Sequence, residues 1–475
     1  MWKGLEKVFS QGSNLVIQII LARLLLPSDF GSLAIIVALV NYISVFVESG
    51  LSTAIIQKKD VSQKDINTLF TVSICAAFIC YLFFYFFSPY IASYYNNPDL
   101  VKPIRVAALV LFLYSYNSIQ LGLLSRGMEF KVIFFRTAIA VPISGLIGIY
   151  LAYHGFGLWS LIVNFVLNIL IATIVMAIFN KTKVGIGFSI QSAEELYSFS
   201  IKILGASLIS GFGDLFRTMS IGKKYTTEQL AYYDRAYTYA SVVLQIVTNS
   251  IQSVLLPVFS REQDNIEHVK TLSRKSIRIT VFFVTPLLLG AAILSKPLFL
   301  VLLTEKWLPA VPFFMLFCIF RWVGCAVGID KQVILALGKS SIIMYFEAFL
   351  LCSNIIMLLI TIPISIKAIA IGALIVEYTG SLVIVLVSKK LYNYTLRERL
   401  SDLLKPLLNS IIMAVAMFLV GRLGQPYIAV GWLLLILIFT GLAVYYILVN
   451  ITKDNSYDYI KQIVKDKFKQ IRNHD

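Results

Sequence analysis

The sequence predicts an all-α polytopic membrane protein that crosses the bilayer about fourteen times. Of its 475 residues, 58% are hydrophobic and 14% are charged, whereas about a quarter of the residues in soluble domains are charged. Apolar stretches of about 18 residues or more recur along the whole chain, and each can cross a hydrocarbon core of about 30 Å as a helix. This composition excludes an ordinary cytosolic enzyme.

Hydropathy places seven predicted spans in each half of the chain, with short connections between them. The longest connection lies near Arg261 to Lys275. The predicted spans cover residues 8–26, 31–54, 67–90, 103–125, 131–153, 157–179, 199–221, 229–256, 277–303, 310–335, 341–362, 366–388, 404–422 and 427–450.

The distribution of lysine and arginine orients the chain. With an even number of spans, both termini lie on one side of the membrane. If that side is the cytoplasm, and residues near span ends are counted with the adjoining segments, the cytoplasmic segments hold 28 of the 41 lysine and arginine residues, the opposite loops hold 9 and the other 4 lie within spans. Short cytoplasmic loops carry the excess of basic residues in membrane proteins. We therefore expect both termini to be cytoplasmic.

A weak internal repeat at an offset of 200 residues aligns Phe30–Ala34 with Leu230–Asp234. Six spans separate the two copies, so both enter the membrane in the same direction, as in parallel repeats related by an axis along the membrane normal. The pattern predicts two six-helix lobes around a central cleft. Their limits are residues 1–196 and 197–400, followed by two additional transmembrane helices at 401–452 and a basic cytoplasmic tail at 453–475. The tail fits either an amphipathic helix on the membrane surface or a frayed end.

Several kinds of chemistry have no support in the sequence. The net charge of +16 is distributed between spans, so it does not form the basic face that a nucleic-acid partner needs. Gly338-Lys339-Ser340 lacks the first glycine of a nucleotide-binding loop. The histidines, His154, His268 and His474, are far apart, no Asp-x-Asp occurs and the five cysteines lie in predicted spans. We expect no metal, no cofactor and no enzymatic activity, which leaves transport.

Charged residues inside predicted spans are the candidates for function, because each costs about 2.5 to 3.5 kcal/mol at the bilayer centre. Arg321 and Glu377 are the most central. Asp214 and Arg217 have the spacing of a self-neutralising pair on one helix, and Lys202 could instead snorkel to the interface. For Glu377, an interhelical hydrogen bond competes with ion binding. The candidates are Glu48, Lys202, Asp214, Arg217, Arg235, Arg321, Glu347 and Glu377, with Arg23, Arg105 and Arg136 near span ends.

Five segments carry a family resemblance. They are LARLLLPSDFG at 21–31, ESGLSTAIIQ at 48–57, NTLF at 67–70, IGKKY at 221–225 and LAYYDRA at 230–236. Together they resemble the polysaccharide exporter and O-antigen flippase family, the polysaccharide transporter branch of a superfamily that also includes multidrug-extrusion antiporters and lipid II flippases. These segments lie at helix ends and turns, so they mark the scaffold more than the cargo.

The resemblance implies a flippase of the bacterial inner membrane that moves undecaprenyl-diphosphate-linked oligosaccharide repeat units by alternating access, for exopolysaccharide, capsule or O-antigen. H⁺ or Na⁺ is a possible coupling ion, and a polysaccharide polymerase and other assembly proteins are possible partners. A cationic cavity suits a diphosphate. On this basis the candidate substrate contacts are Arg321, Lys202, Arg217 and Arg235. The candidate ion-coupling residues are Asp214, Glu48 and Glu377.

Three other classes of function remain as alternatives. A small-molecule antiporter of the same superfamily is the first. A membrane enzyme of polysaccharide assembly is disfavoured, because the sequence has no large extracytoplasmic loop and no acid/base constellation. A scaffold that recruits glycosyltransferases is disfavoured by the intramembrane charges.

Overall fold

The computed structural model describes residues 2–48, 55, 61–179 and 184–452, and within them every regular element is a helix. The first half contains α1 (Trp2–Leu24), α2 (Pro27–Glu48), α3 (Gln63–Tyr94), α4 (Val101–Ala108), α5 (Val110–Arg126), α6 (Phe130–Tyr153), α7 (Leu158–Phe179) and α8 (Ile190–Lys224). The second half contains α9 (Thr227–Arg261), α10 (Ile266–Leu302), α11 (Val311–Phe320), α12 (Val323–Ala336), α13 (Ser340–Thr361), α14 (Ile366–Tyr392), α15 (Leu396–Gly424) and α16 (Val430–Thr452). Short 3₁₀ helices precede α4 (Pro98–Leu100) and α11 (Glu305–Ala310).

The all-α prediction is confirmed for the described residues, and many of these helices can cross a membrane. Among them, 10 helical segments are long and apolar enough to span, and the bent α11–α12 pair makes up to 11. The helices α1, α8 and α9 are long enough but too polar to meet the same criterion. The count of fourteen needs all three of them to span, so it stays a prediction.

Local side-chain chemistry sets several helix ends. Ser62 and Asp65 form a reciprocal capping box at the start of α3, and Thr395 and Glu398 form another at the start of α15. Such boxes satisfy backbone N–H groups that have no partner within the helix. At the end of α14, Asn393 adopts the left-handed conformation, with φ of 56°. These caps place the start of α15 at Leu396, eight residues before the predicted span.

The chain folds into two compact units, Met1–Asp234 (unit 1) and Arg235–Asp475 (unit 2). The lobe limits predicted from the repeat differ from this division and stay predictions. The tail at 453–475 and most of the 48–57 segment lie outside the described residues.

Closely packed helices build unit 1. The α6 helix packs against both α1 and α7, and small residues allow the approach: a Cβ at Gly145 would lie 2.2 Å from Ile17 Cδ1. At Gly31, near the start of α2, a Cβ would lie 1.8 Å from the Thr227 carbonyl oxygen. No side chain fits at Gly31, so the glycine of the 21–31 segment is a packing requirement, consistent with the small residues of membrane helix interfaces.

The central helix of unit 2 is α10, against which α11, α12, α15 and α16 pack. An apolar cluster joins α15 and α16, through Met413, Met417, Leu433 and Leu437, with partly buried residues of α10. A second cluster joins α12, α13 and α14. The last two helices, predicted as additional to the two lobes, therefore pack against the central helix of unit 2.

Candidate substrate and coupling site

A break in a membrane helix places the most central predicted cation. The helix α11 ends at Phe320 and α12 begins at Val323, with a bend of 47° between the two halves of the segment. Arg321 is the first residue after α11, near the middle of the predicted span 310–335. Interrupted helices at membrane depth are tolerated where backbone lines a cavity or a binding site. The break therefore marks Arg321 as a site candidate independently of its charge.

Three side chains of unit 2 surround the Arg321 guanidinium. Its Nη1 donates a hydrogen bond to the Ser241 hydroxyl at 2.6 Å, and its Cζ lies 4.5 Å from the centre of the Tyr237 ring. Its Nε lies 3.9 Å from Glu377 Oε2. The guanidinium is thus held by α9 and faces a carboxylate on α14. We call these residues, with Gly324, the helix-break site.

The contact between Arg321 and Glu377 is loose. A distance of 3.9 Å is too long for a hydrogen bond, and among the described residues Arg321 Nε has no hydrogen-bond partner. The side chains are 14% and 29% exposed, respectively. A cation that is held on one edge, stacked on a ring and incompletely paired on the other edge can accept an additional anion. Arginine suits phosphate in particular, because its fork of N–H groups can bind two oxygens at once.

Gly324 provides the space that Glu377 occupies. A Cβ at Gly324 would lie 2.6 Å from Glu377 Oε1. Gly324 lies in the first turn of α12, and its N–H donates to the Arg321 carbonyl at 3.2 Å. The carboxylate of Glu377 therefore lies between the guanidinium and the beginning of α12.

Asp214 and Arg217 form an ion pair of 2.9 Å within α8. The Asp214 side chain is 72% exposed, and Arg217 lies 5.9 Å from the Tyr233 ring. The pair therefore fits the self-neutralising interpretation. Arg235 lies half-buried in α9, at the start of unit 2.

The two other predicted positions lie in unit 1. Glu48 is the last residue of α2, is half-buried and contacts the Ser44 hydroxyl. Lys202 lies in α8, and its side chain is outside the described residues. The predicted residues that come together from different helices within unit 2 are Arg321 and Glu377.

Sequence reasoning missed Ser241 and Tyr237, although they are four residues apart on α9 and therefore share one face. It also missed a second charged group in unit 2, where Arg399 Nη1 donates to Asp330 Oδ2 at 2.7 Å and Arg274 Nε donates to Asp402 Oδ2 at 2.8 Å. We call this group the α15 anchor. It comprises Asp330, Arg399, Asp402, Arg274, Arg278, Tyr392 and Tyr394.

The 67–70 segment, one of the five that suggested a family, has a structural role in unit 1. The Asn67 side chain accepts a hydrogen bond from the Gly185 N–H at 3.0 Å, and the Thr68 hydroxyl accepts one from the Ser189 N–H at 3.0 Å. These residues of the 67–70 segment hold the connection that leads into α8. The segment therefore marks scaffold, in agreement with its position at a helix end.

A family model described as polysaccharide biosynthesis protein matches residues 20–312, more than half of the chain. The chain belongs to this family. Gly31 and the 67–70 segment lie inside the matched region, whereas Arg321 and Glu377 lie beyond it. Membership of the polysaccharide biosynthesis protein family thus rests on the scaffold described above.

Curated relatives carry related descriptions. The succinoglycan biosynthesis transport protein ExoT of Rhizobium meliloti (strain 1021) is 25% identical over 66% of this chain and 63% of its own length. The chain thus spans just under two thirds of that relative. The lipopolysaccharide biosynthesis protein WzxC of Escherichia coli (strain K12) is 23% identical over 73% of this chain and 71% of its own. The teichuronic acid biosynthesis protein TuaB of Bacillus subtilis (strain 168) is 20% identical over 65% of this chain and 64% of its own.

Solved structures share the fold. An inward closed conformation of the lipid II flippase MurJ matches with a TM-score of 0.79 and 17% identity, covering 94% of this chain and 97% of that one. An inward-facing multidrug transporter of the MATE family matches with a TM-score of 0.61 and 15% identity, covering 83% and 96%. At these identities the likeness establishes the fold alone, which fits the superfamily that the sequence resembles.

Proposed function

We propose that this protein is a flippase that moves undecaprenyl-diphosphate-linked oligosaccharide repeat units across the bacterial inner membrane for exopolysaccharide, capsule or O-antigen biosynthesis. The observation that carries the proposal is the incompletely paired Arg321 at a helix break within a predicted span. The names of the relatives and the flippase fold support it. In this proposal the chain spans the membrane fourteen times with both termini in the cytoplasm.

In this mechanism Arg321 contacts the diphosphate of the cargo. Ser241 and Tyr237 hold the guanidinium in place, so its free edge is oriented before the cargo arrives. Preorganised donors bind an anion without the entropic cost of ordering a free arginine. Lys202, Arg217 and Arg235 are proposed as further contacts to the diphosphate or to acidic sugars.

Glu377 is proposed to couple transport to an ion gradient. When the cargo is absent, its carboxylate partly neutralises Arg321; when the cargo binds, two anions compete for one guanidinium. Binding of H⁺ or Na⁺ to the carboxylate relieves this competition, so the ion and the diphosphate favour the same state. Such differential affinity is what shifts the population of a two-state transporter. Asp214 and Glu48 are proposed as additional coupling carboxylates.

The test is transport by purified protein in proteoliposomes that contain a fluorescent lipid-linked oligosaccharide, compared with surface polysaccharide in a deletion strain. We expect the unmodified chain to move the lipid and Arg321→Ala to lose most of this activity at equal membrane levels. Lys331→Ala is a matched control, since Lys331 also lies in unit 2 and pairs with the half-exposed Glu347 at 2.6 Å. Exposed pairs of this kind contribute about 0 to 1 kcal/mol.

Three outcomes separate the possibilities. Loss of flipping in Arg321→Ala but not in Lys331→Ala supports the proposed site. If Arg321→Ala flips the lipid as well as the unmodified chain does, Arg321 is not part of the substrate site, but the protein is still a flippase. Failure of the unmodified chain to move lipid-linked sugar, combined with extrusion of small cationic dyes, would favour the antiporter alternative.

A further inference from the structure

We propose that Asp330 and Asp402 are positioning residues that fix α15 to α10 and α12, so that α15 and α16 move as one body with the rest of unit 2. The inference rests on the proposed function only in its claim about the transport cycle. It assigns a role to the last two helices, which fall outside the internal repeat: they move together with unit 2 during transport.

Asp402 is the centre of the contact between α10 and α15. Its Oδ2 accepts hydrogen bonds from Arg274 Nε at 2.8 Å and from the Tyr394 hydroxyl at 3.0 Å. Its Oδ1 accepts from Arg274 Nη2 at 3.0 Å and from Arg278 Nε at 2.7 Å. The Asp402 side chain is 0% exposed. One carboxylate of α15 is thus bound by two arginines from successive turns of α10.

Asp330 makes the corresponding contact between α12 and α15. Both of its oxygens accept from Arg399, at 2.7 and 2.9 Å, in a bidentate pair. The Tyr392 hydroxyl donates to Asp330 Oδ1 at 2.5 Å. The Asp330 side chain is 0% exposed and that of Arg399 is 5% exposed. The pair therefore fixes the first turn of α15 to a helix other than α10.

Tyr394 connects the two carboxylates. Its ring lies 4.5 Å from Arg399 Cζ, while its hydroxyl donates to Asp402. Burial and the neighbouring Asp402 charge raise the pKa of Tyr394 above its ordinary value, so the phenol stays protonated and keeps donating. The connection between α14 and α15 is thereby part of the α15 anchor.

The arginines of the α15 anchor are already committed to carboxylates. All three nitrogens of Arg274 donate, two to Asp402 and one to Glu398, and Lys270 also binds Glu398 at 2.8 Å. Separating a buried, hydrogen-bonded pair leaves an uncompensated charge in a medium that solvates it poorly. Because of this cost, we expect the α15 anchor to stay closed throughout the transport cycle.

An apolar contact continues the attachment along the helices. Met413 and Met417 pack with Ile293 and Leu294 of α10. On α16, the Tyr445 hydroxyl donates to the Phe282 carbonyl of α10 at 2.7 Å. The last two helices are thus joined to α10 at several levels, as expected of a single moving body.

The first experiment joins α10 to α15 covalently. In a background with the five native cysteines replaced, Gly290→Cys and Met413→Cys are linked by a short reagent that reductant cleaves. The pair is suitable because a Cβ at Gly290 would make ordinary contact, 3.7 Å, with Met413 Cε. We expect no loss of transport after complete linking. Loss of transport that reductant restores would overturn the proposal, because α15 would then have to move on α10.

The second experiment weakens the anchor in the same cysteine pair. Asp402→Asn is expected to lower transport and slow the cross-linking of positions 290 and 413, and the cross-link is expected to restore transport. A purely structural loss would not be rescued by a bond formed after folding. Normal transport with an unchanged cross-linking rate would refute the positioning role. Should Asp402→Asn fail to reach the membrane, the first experiment decides alone.

The cross-linking rate does not depend on the cargo. If the unmodified chain moves no lipid-linked sugar, the proposed function fails while the rate still reports whether α15 is fixed. The two failures are therefore distinguishable.

Discussion

The α15 anchor and the helix-break site each pair an arginine with a carboxylate, and they differ in how completely each charge is paired. In the α15 anchor, Asp330 and Arg399 meet at 2.7 Å and both are buried. In the helix-break site, Arg321 and Glu377 are 3.9 Å apart and both are partly exposed. A tight, dry pair resists opening, whereas a loose pair can exchange one partner for another anion. In the proposed function, the same chemistry serves attachment in one place and exchange in the other.

The largest expected effect is on stability at the α15 anchor. Arg399→Ala leaves the Asp330 carboxylate buried without its bidentate partner, and breaking such pairs costs about 3 to 5 kcal/mol. We expect a marked fall in the apparent unfolding temperature in detergent. An Arg399→Ala protein as stable as the unmodified chain would mean that water reaches this pair and that the two groups do not differ as described.

Arg321→Lys tests whether shape or charge matters at the helix-break site. Lysine keeps the positive charge but loses the planar fork, and a hydrogen bond to a charged group contributes about 1.5 to 3 kcal/mol. We expect transport to fall about tenfold or more with little change in stability, measured in proteoliposomes and by thermal unfolding. Full transport by Arg321→Lys would show that a point charge suffices.

Glu377→Gln removes the carboxylate that is proposed to pair with Arg321 when the cargo is absent, and keeps the size of the side chain. Because the pair is loose, we expect a stability change below about 1 kcal/mol, as for partly exposed ion pairs. Transport should lose its dependence on an imposed proton or sodium gradient. Retained dependence on both gradients would assign coupling elsewhere, with Asp214 and Glu48 as the next candidates.

Gly324→Ala should have the smallest effect. The added Cβ would lie 2.6 Å from Glu377 Oε1, the movable end of a side chain, so the carboxylate must shift away. Alanine also favours the helix by about 0.8 to 1 kcal/mol over glycine, which offsets the crowding. We expect near-normal stability and a modest change in transport, measured side by side with Glu377→Gln. A strongly destabilised Gly324→Ala would mean that the carboxylate cannot move.

Much of the fold could be predicted from hydropathy alone. The spans predicted at 131–153, 341–362 and 366–388 correspond to Phe130–Tyr153, Ser340–Thr361 and Ile366–Tyr392. The breaks between helices at Leu109 and at Arg321 could not be predicted in this way. Hydropathy averaged over a window of residues does not report a local change of backbone direction. The predicted starts of α10 and α15 are late, because the charged first turns of these helices resemble loops when their partners are unknown.

The candidate site was predictable residue by residue but not as an arrangement. The free-energy cost of burying a charge in the bilayer identified Arg321 and Glu377 as candidates. This cost is assigned to each residue by itself, so it does not predict which residues are close together. Their proximity, and the contacts of Arg321 with Ser241 and Tyr237, depend on how α9, α11 and α14 pack. Arg399 and Asp402 lie between the predicted spans 366–388 and 404–422, where charged side chains are expected to be exposed, so the sequence does not predict their burial.

The glycine at position 31 identifies members of the family by their scaffold and does not distinguish them by the cargo they carry. A substitution there would push against the backbone of Thr227, so the residue reports the assembly of unit 1 and nothing about cargo. The region that identifies the family ends at residue 312, before the helix break begins. In the proposed mechanism the cargo contacts Arg321, so we expect members that carry different cargo to differ between Arg321 and Glu377, outside the region that defines the family.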